Sequence, residues 1–128
     1  MTLILDAGGV SALAGQRAKL VELRSHGQWP PQLPAIILAE TLTGDHRRDY
    51  EVNKLLRMCQ IRPVDELLAR SAARLRTATG RAGSISAADA VVAAFAESVT
   101  QAVVLTSDSD DLRALLNSAS LSIRIVSV

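Results

Sequence analysis

The chain has 128 residues, of which 48% are hydrophobic and 21% charged, so it can build the core of one domain and is not intrinsically disordered. Its formal net charge of +1 points to no class of charged partner. The single cysteine, Cys59, excludes an intramolecular disulfide and a cysteine-ligated zinc site. Without a run of ~18 apolar residues or a signal-peptide pattern, we expect a soluble, cytoplasmic protein.

The first half of the chain predicts two short strands and three helices. They are a strand at Thr2–Leu5, a helix over 10–25 that Gly15 can interrupt, a strand over 33–35, and helices over 36–43 and 47–58. Glycine and proline between 26 and 32 indicate a loop. Gly44 is the expected C-terminal cap of the helix that precedes it.

The second half predicts three more strands and three helices. They are a strand over 60–64, helices over 65–79 and 87–97, a strand over 102–105, a helix over 110–117 and a strand over 122–126. The 65–79 helix carries an apolar stripe of Leu67, Leu68, Ala72 and Leu75. Strands that alternate with helices predict βαβ units. We therefore expect one α/β domain over residues 1–128, a three-layer α/β/α sandwich around a mostly parallel sheet.

Four acidic residues lie where carboxylates are unusual or well placed for chemistry. Asp6 and Asp108 follow apolar strands, and the carboxyl ends of parallel strands form the edge at which ligands bind. Glu40 and Asp89 lie within otherwise apolar helical stretches.

Each acid also has a structural interpretation when it is considered alone. Asp6 and Asp108 suit turns after strands. Asp89 resembles the second member of a capping box that Ser86 begins. Glu40 fits a solvated position on an amphipathic helix.

The four acids together favour a divalent cation over these separate interpretations. No Lys or Arg lies within five residues of Asp6, Glu40 or Asp89, or within five residues before Asp108, so local ion pairing explains none of them. Mg²⁺ and Mn²⁺ prefer oxygen ligands. We therefore expect one or two Mg²⁺ or Mn²⁺ ions at these carboxylates.

The order of the acids along the chain resembles a known family. Four segments carry them in the order Asp, Glu, Asp, Asp: LDAG at 5–8, LAE at 38–40, SAADAVVAA at 86–94 and LTSDSDDL at 105–112. This set resembles the PIN-domain ribonucleases, with the VapC-type toxins as the closest subgroup, over essentially the whole chain. The resemblance implies a five-stranded parallel sheet, and it implies that the four acids named above are the catalytic metal-site residues.

The resemblance leaves the fourth acid of the site open. Asp110 or Asp111 can replace or assist Asp108, although both also suit the negative start of the following helix. Thr106 resembles the hydroxyl residue that precedes this acid and supports the site. The pair Gly8-Gly9 departs from family members that carry a hydroxyl or amide residue just after the first acid.

Basic residues are concentrated in the middle of the chain. Residues 1–46 carry a net charge of −1, residues 47–81 carry +5 and residues 82–128 carry −3. Arginine suits bidentate phosphate binding, although each arginine taken alone also fits a solvated helix face. The candidate RNA contacts are Arg47, Arg48, Arg70, Arg74 and Arg81. With three aromatic residues in the chain, recognition should depend on the RNA backbone and shape more than on stacking.

The function that the resemblance implies is a metal-dependent endoribonuclease that acts as the toxin of a toxin–antitoxin pair. It also implies a homodimer and a VapB-like antitoxin that inserts a basic residue into the acidic pocket. Two other classes remain as alternatives. A receiver-type phosphoacceptor domain is disfavoured because Asp6 stands alone and no Lys follows position 54. A non-catalytic PIN-like binding module is disfavoured by the intact acids.

Overall fold

Five strands form one parallel sheet in the computed structural model, which describes residues 1–117 and 122–128. They are β1 (Thr2–Leu5), β2 (Gln32–Pro34), β3 (Gln60–Arg62), β4 (Ala102–Thr106) and β5 (Ile123–Ser127). The strand order is β3-β2-β1-β4-β5, and the four neighbouring pairs are all parallel. The predicted α/β fold with a mostly parallel, five-stranded sheet is confirmed.

Helices connect the strands along the described chain. They are α1 (Ala7–Leu13), α2 (Arg17–Ser25), α3 (Ile36–Thr41), α4 (Tyr50–Leu56), α5 (Glu66–Ala78), α6 (Ala87–Ser98) and α7 (Ser109–Leu115). The helix predicted over 10–25 is divided into α1 and α2 at Gly15, whose φ of +77° costs a glycine little. No helix of the described ranges is both long and apolar enough to cross a bilayer.

The predicted helix ends on the two sides of the 42–49 segment are wrong, for one physical reason. Helix α3 ends with Leu42 as its cap instead of Gly44, and α4 begins at Tyr50 instead of residue 47. Between them, acidic side chains bind backbone N–H groups that a helix would otherwise use. Asp45 accepts from the N–H of Arg47 at 2.9 Å, and this local bond competes with helix formation.

The core is aliphatic, as the composition predicts. Strands β1 and β4 lie at its centre, with Leu3, Ile4 and Val104 at most 1% exposed. Helix α6 is buried from residue 88 to 96, because its Ala and Val side chains allow close packing on both sides. The predicted apolar stripe of α5 is wrong at Leu67, which is 75% exposed.

Candidate metal centre

Three carboxylates meet at the carboxyl edge of the sheet. Asp6, Asp89 and Asp108 each offer an oxygen, and these oxygens lie within 4.8 Å of one another. Asp6 directly follows β1 and Asp108 follows β4 by two residues, and these two strands are neighbours in the sheet. Asp89 comes from the first turn of α6. The fold thus joins residues that are 83 and 102 positions apart from Asp6 in the sequence.

Asp6 is held by hydrogen bonds to both of its carboxylate oxygens. The residue is 2% exposed, and its Oδ1 accepts from the N–H of Gly9 at 2.8 Å, which caps α1. Its Oδ2 accepts from the hydroxyl of Thr106. A carboxylate has about four acceptor positions, so these two bonds leave room for a cation. Burial raises the pKa of Asp6, and the nearby charge of Asp108 adds to the increase.

Thr106 connects two of the three acidic residues. It is fully buried at the end of β4. Its Oγ1 donates to Asp6 and accepts from the backbone N–H of Asp108 at 2.8 Å. One hydroxyl group therefore fixes the relative position of the ends of β1 and β4.

Asp89 contributes its backbone to the helix cap and leaves its carboxylate at the cluster. Ser86 caps α6 by accepting from the N–H of Asp89 at 3.0 Å. Asp89 is 7% exposed, and burial, followed by the charges of Asp108 and Asp6, raises its pKa to about 6. The cap explains the Ser86–Asp89 spacing but not the buried carboxylate.

Glu40 lies near the three acids on α3, outside the group of carboxylates within 4.8 Å. Its side chain is exposed. Partial burial raises its pKa, and the charges of Asp6 and Asp108 raise it further. Glu40 therefore belongs to the same electrostatic environment, at the solvent side of the cluster.

Gly8 and Gly9 allow α1 to lie directly against the end of β4. A Cβ atom on Gly8 would overlap the side chain of Ser107 and lie 2.7 Å from its backbone nitrogen. A Cβ atom on Gly9 would lie 2.6 Å from the carbonyl oxygen of Leu105. A larger residue at either position would push α1 away from β4.

The other acids of the 105–112 segment have basic partners elsewhere. Asp111 on α7 pairs at 3.0 Å with Arg81 in the loop after α5. Asp110 pairs with Arg113 at 3.6 Å, and its side chain is 97% exposed. Within the described chain, neither joins the group of three carboxylates.

The candidate RNA-contacting arginines are exposed and lie on three segments. They are Arg70 and Arg74 on α5, Arg81 in the loop after α5, and Arg47 and Arg48 in the turn before α4. Arg70 pairs with Glu66 at 2.8 Å on the solvent face of α5. The guanidinium of Arg74 lies 3.0 Å from the hydroxyl of Ser71, in a groove between α5 and α6.

One buried acid was not predicted from the sequence. Asp49 is 4% exposed and accepts from the backbone N–H groups of Thr43 and Gly44 and from the Thr43 hydroxyl, at 2.8–3.0 Å. These bonds lower its pKa, the Thr43 N–H most of all. Since most of its partners are backbone groups, no side-chain pattern could reveal this role. Asp49 fixes the loop that leaves α3, the helix of Glu40.

The donor set at the sheet edge fits a hard divalent cation. It consists of carboxylate oxygens, and no Lys or Arg in the described ranges forms an ion pair with Asp6, Asp89 or Asp108. Mg²⁺ and Mn²⁺ prefer such oxygen ligands, and Cys59 and the exposed histidines lie outside the cluster. Fold and site together define a parallel α/β protein with a cluster of three carboxylates at the carboxyl edge of its sheet.

Comparison with known proteins identifies the family. The model of the PIN domain matches residues 31–115, so the chain belongs to the PIN domain family. The search of curated proteins found no significant match.

Solved structures share the whole fold at low sequence identity. DNA-bound VapBC from Salmonella typhimurium is 17% identical with a TM-score of 0.70, covering 99% of this chain and 98% of the other. VapBC2 from Rickettsia felis, bound to a promoter DNA fragment, is 14% identical with a TM-score of 0.70, covering 100% and 99%. FitAcB from Neisseria gonorrhoeae is 22% identical with a TM-score of 0.64, covering 96% and 95%. The similarity establishes the fold.

Proposed function

We propose that this protein is a metal-dependent endoribonuclease, the VapC-type toxin of a toxin–antitoxin pair, formed by a single PIN domain over residues 1–128. The observation that carries the proposal is the meeting of Asp6, Asp89 and Asp108 at the carboxyl edge without a basic partner in the described ranges. Membership of the PIN domain family and the fold shared with VapBC and FitAcB structures support it.

The three carboxylates would hold Mg²⁺ or Mn²⁺, as one or two ions, with Glu40 at the solvent side. A bound divalent cation lowers the pKa of a water molecule and neutralises charge at a phosphodiester, which is the chemistry that hydrolysis requires. Thr106 keeps the carboxylate of Asp6 in place through its hydroxyl. The raised pKa values of Asp6 and Asp89 reflect how unfavourable these charges are without a cation.

Exposed arginines would bind the RNA backbone. A guanidinium group offers a planar pair of donors that suits a phosphate. The proposed contacts are Arg47, Arg48, Arg70, Arg74 and Arg81. Since the net charge of the chain is only +1, attraction to RNA would be local to these residues and strongly dependent on salt.

The proposed partners are a VapB-like antitoxin and a second copy of the chain, in the cytoplasm. Two of the structures described above are of VapBC bound to DNA, and the third is of FitAcB. The cluster of carboxylates would accept a basic side chain of an antitoxin, because that side chain would supply the missing positive charge.

The test is RNA cleavage by the purified chain with Mg²⁺ or Mn²⁺, with and without a chelator. Asp6→Asn should abolish cleavage, because it removes a buried negative charge from the cluster with little change of shape. Asp110→Asn is the matched control, since it makes the same substitution at a side chain that is 97% exposed. Equal cleavage by wild type and Asp6→Asn, or cleavage that survives the chelator, would contradict the proposal.

A further inference from the structure

We propose that the ion pair between Arg81 and Asp111 positions the Asp108 carboxylate and thereby sets the affinity of the cluster for a divalent cation. The inference rests on the proposed function, because it takes Asp6, Asp89 and Asp108 to be cation ligands. Arg81 and Asp111 act through the helices that carry these ligands, so they are positioning residues.

Asp108 is less constrained than the other two carboxylates of the cluster. Its side chain is exposed, whereas Asp6 and Asp89 are buried. Asp108 occupies the N-cap position of α7, but its carboxylate makes no capping hydrogen bond. The bond from its N–H to Thr106 fixes its backbone to β4. The position of its carboxylate therefore depends on how α7 lies against the rest of the domain.

Helix α7 is short, and few of its own residues are buried. It spans seven residues, and its buried residues are Leu112 and Leu115, at 0% and 3% exposure. These leucines hold the helix to the core through apolar contacts, which are not directional. At the N-terminal turn, which lies next to the cluster, the bond from the N–H of Asp108 to Thr106 is one directional contact, and a second contact would fix the direction in which the turn leaves β4.

Asp111 supplies that contact from the first turn of α7. Its Oδ1 lies 3.0 Å from Nη2 of Arg81, which is thirty residues away in the sequence. The Asp111 side chain is 27% exposed and that of Arg81 is 49% exposed. The partly shielded pair thus joins α7 to the loop between α5 and α6.

The same loop leads to Asp89. The carbonyl oxygen of Arg81 accepts from the N–H groups of Ser84 and Ile85 at 2.9 and 3.1 Å, and Ile85 is 1% exposed. Ser86 follows at once and caps α6 through the N–H of Asp89. The ion pair therefore connects the element that carries Asp108 to the segment that places Asp89.

The Arg81–Asp111 ion pair acts against a repulsion within the cluster. Asp89 and Asp108 carry like charges within 4.8 Å, and their repulsion favours movement of the less constrained residue. The Arg81–Asp111 pair opposes that movement and keeps the ligand oxygens close before a cation binds. The cation then meets a site that is already formed.

Two variants test the inference through Mn²⁺ affinity, measured by isothermal titration calorimetry. Arg81→Gln and Asp111→Asn should each weaken binding about tenfold, the usual effect of removing a group that supports metal ligands. Arg81→Lys keeps the charge and should retain most of the affinity. Arg113→Gln is the matched control, because it breaks the pair with Asp110 within α7 and should leave the affinity unchanged.

Hydrogen exchange of the α7 amides in the metal-free protein gives a second measurement that is independent of activity. Exchange should accelerate in Arg81→Gln and Asp111→Asn but not in Arg113→Gln. Unchanged Mn²⁺ affinity in both variants would overturn the inference. Weaker binding in Asp111→Asn alone would also overturn it, since Asp111 would then be a direct ligand. Wild-type protein that binds no Mn²⁺ while Arg81→Gln still accelerates exchange would contradict the proposed function instead.

Discussion

Replacing Asp89 by Asn should stabilise the metal-free protein and destroy its response to metal. Folding raises the pKa of this carboxyl group from 3.8 to about 6, so the folded state opposes its ionisation. The stability that protonated Asp89 contributes is fully present below about pH 4 and is lost as the pH rises through about 6. Full ionisation of Asp89 lowers the free energy of unfolding by about 3 kcal/mol if the whole pKa shift is counted. We reduce this value to about 1–2 kcal/mol because water screens the charge of the exposed Asp108. The Asn variant carries no such charge.

The assay is thermal unfolding of wild type and Asp89→Asn with a chelator, at about pH 4 and about pH 8. For a domain of this size, 1–2 kcal/mol corresponds to an increase in Tm of roughly 3–8 °C at the higher pH, and the difference should shrink at the lower pH. Excess Mn²⁺ should reverse the order, because it stabilises wild type by about 2.7 kcal/mol at a hundred times its Kd. If metal-free Asp89→Asn is no more stable than wild type at about pH 8, the carboxylate of Asp89 does not destabilise the fold and the prediction is wrong. Asp110→Asn is the control and should not change the unfolding curve at either pH.

Three further substitutions probe the elements that shape the site. Gly8→Ala should cost about 1–3 kcal/mol in a denaturant titration, because the added Cβ overlaps Ser107, whereas Gly83→Ala should be tolerated since nothing lies within 4 Å of its Cβ. Thr106→Val should lower stability by about 1–3 kcal/mol and weaken Mn²⁺ binding measured by calorimetry, because buried partners lose their hydrogen bonds; wild-type affinity in this variant would argue against a supporting role. Asp49→Asn should lower Tm most at neutral pH and little in acid. Because the pKa of Asp49 is lowered, its ionised carboxylate stabilises the fold above the ordinary pKa of 3.8, and this stabilisation is lost as the pH falls further. Equal loss at both pH values would show that the charge of this carboxylate is unimportant.

Local patterns in the sequence were sufficient to predict the sheet. The apolar runs of β1 and β4 and the helices between the strands are features of short segments, and parallel pairing follows from the connections. The predictions failed where a distant or backbone partner decides the outcome. Leu67 is exposed because the face of α5 that packs against α6 is narrower than the predicted apolar stripe. Gly44 is not a helix cap because Asp49 binds its N–H.

The fold class, the family and the acids that need an explanation could all be inferred from the sequence alone. The tertiary structure determines how those acids are used, because distances between segments about one hundred residues apart depend on packing. It brought Asp6, Asp89 and Asp108 together, placed Glu40 beside them, and gave Asp111 to Arg81. It also showed that Gly8 is present for space, since the neighbour that requires it comes from the other half of the chain.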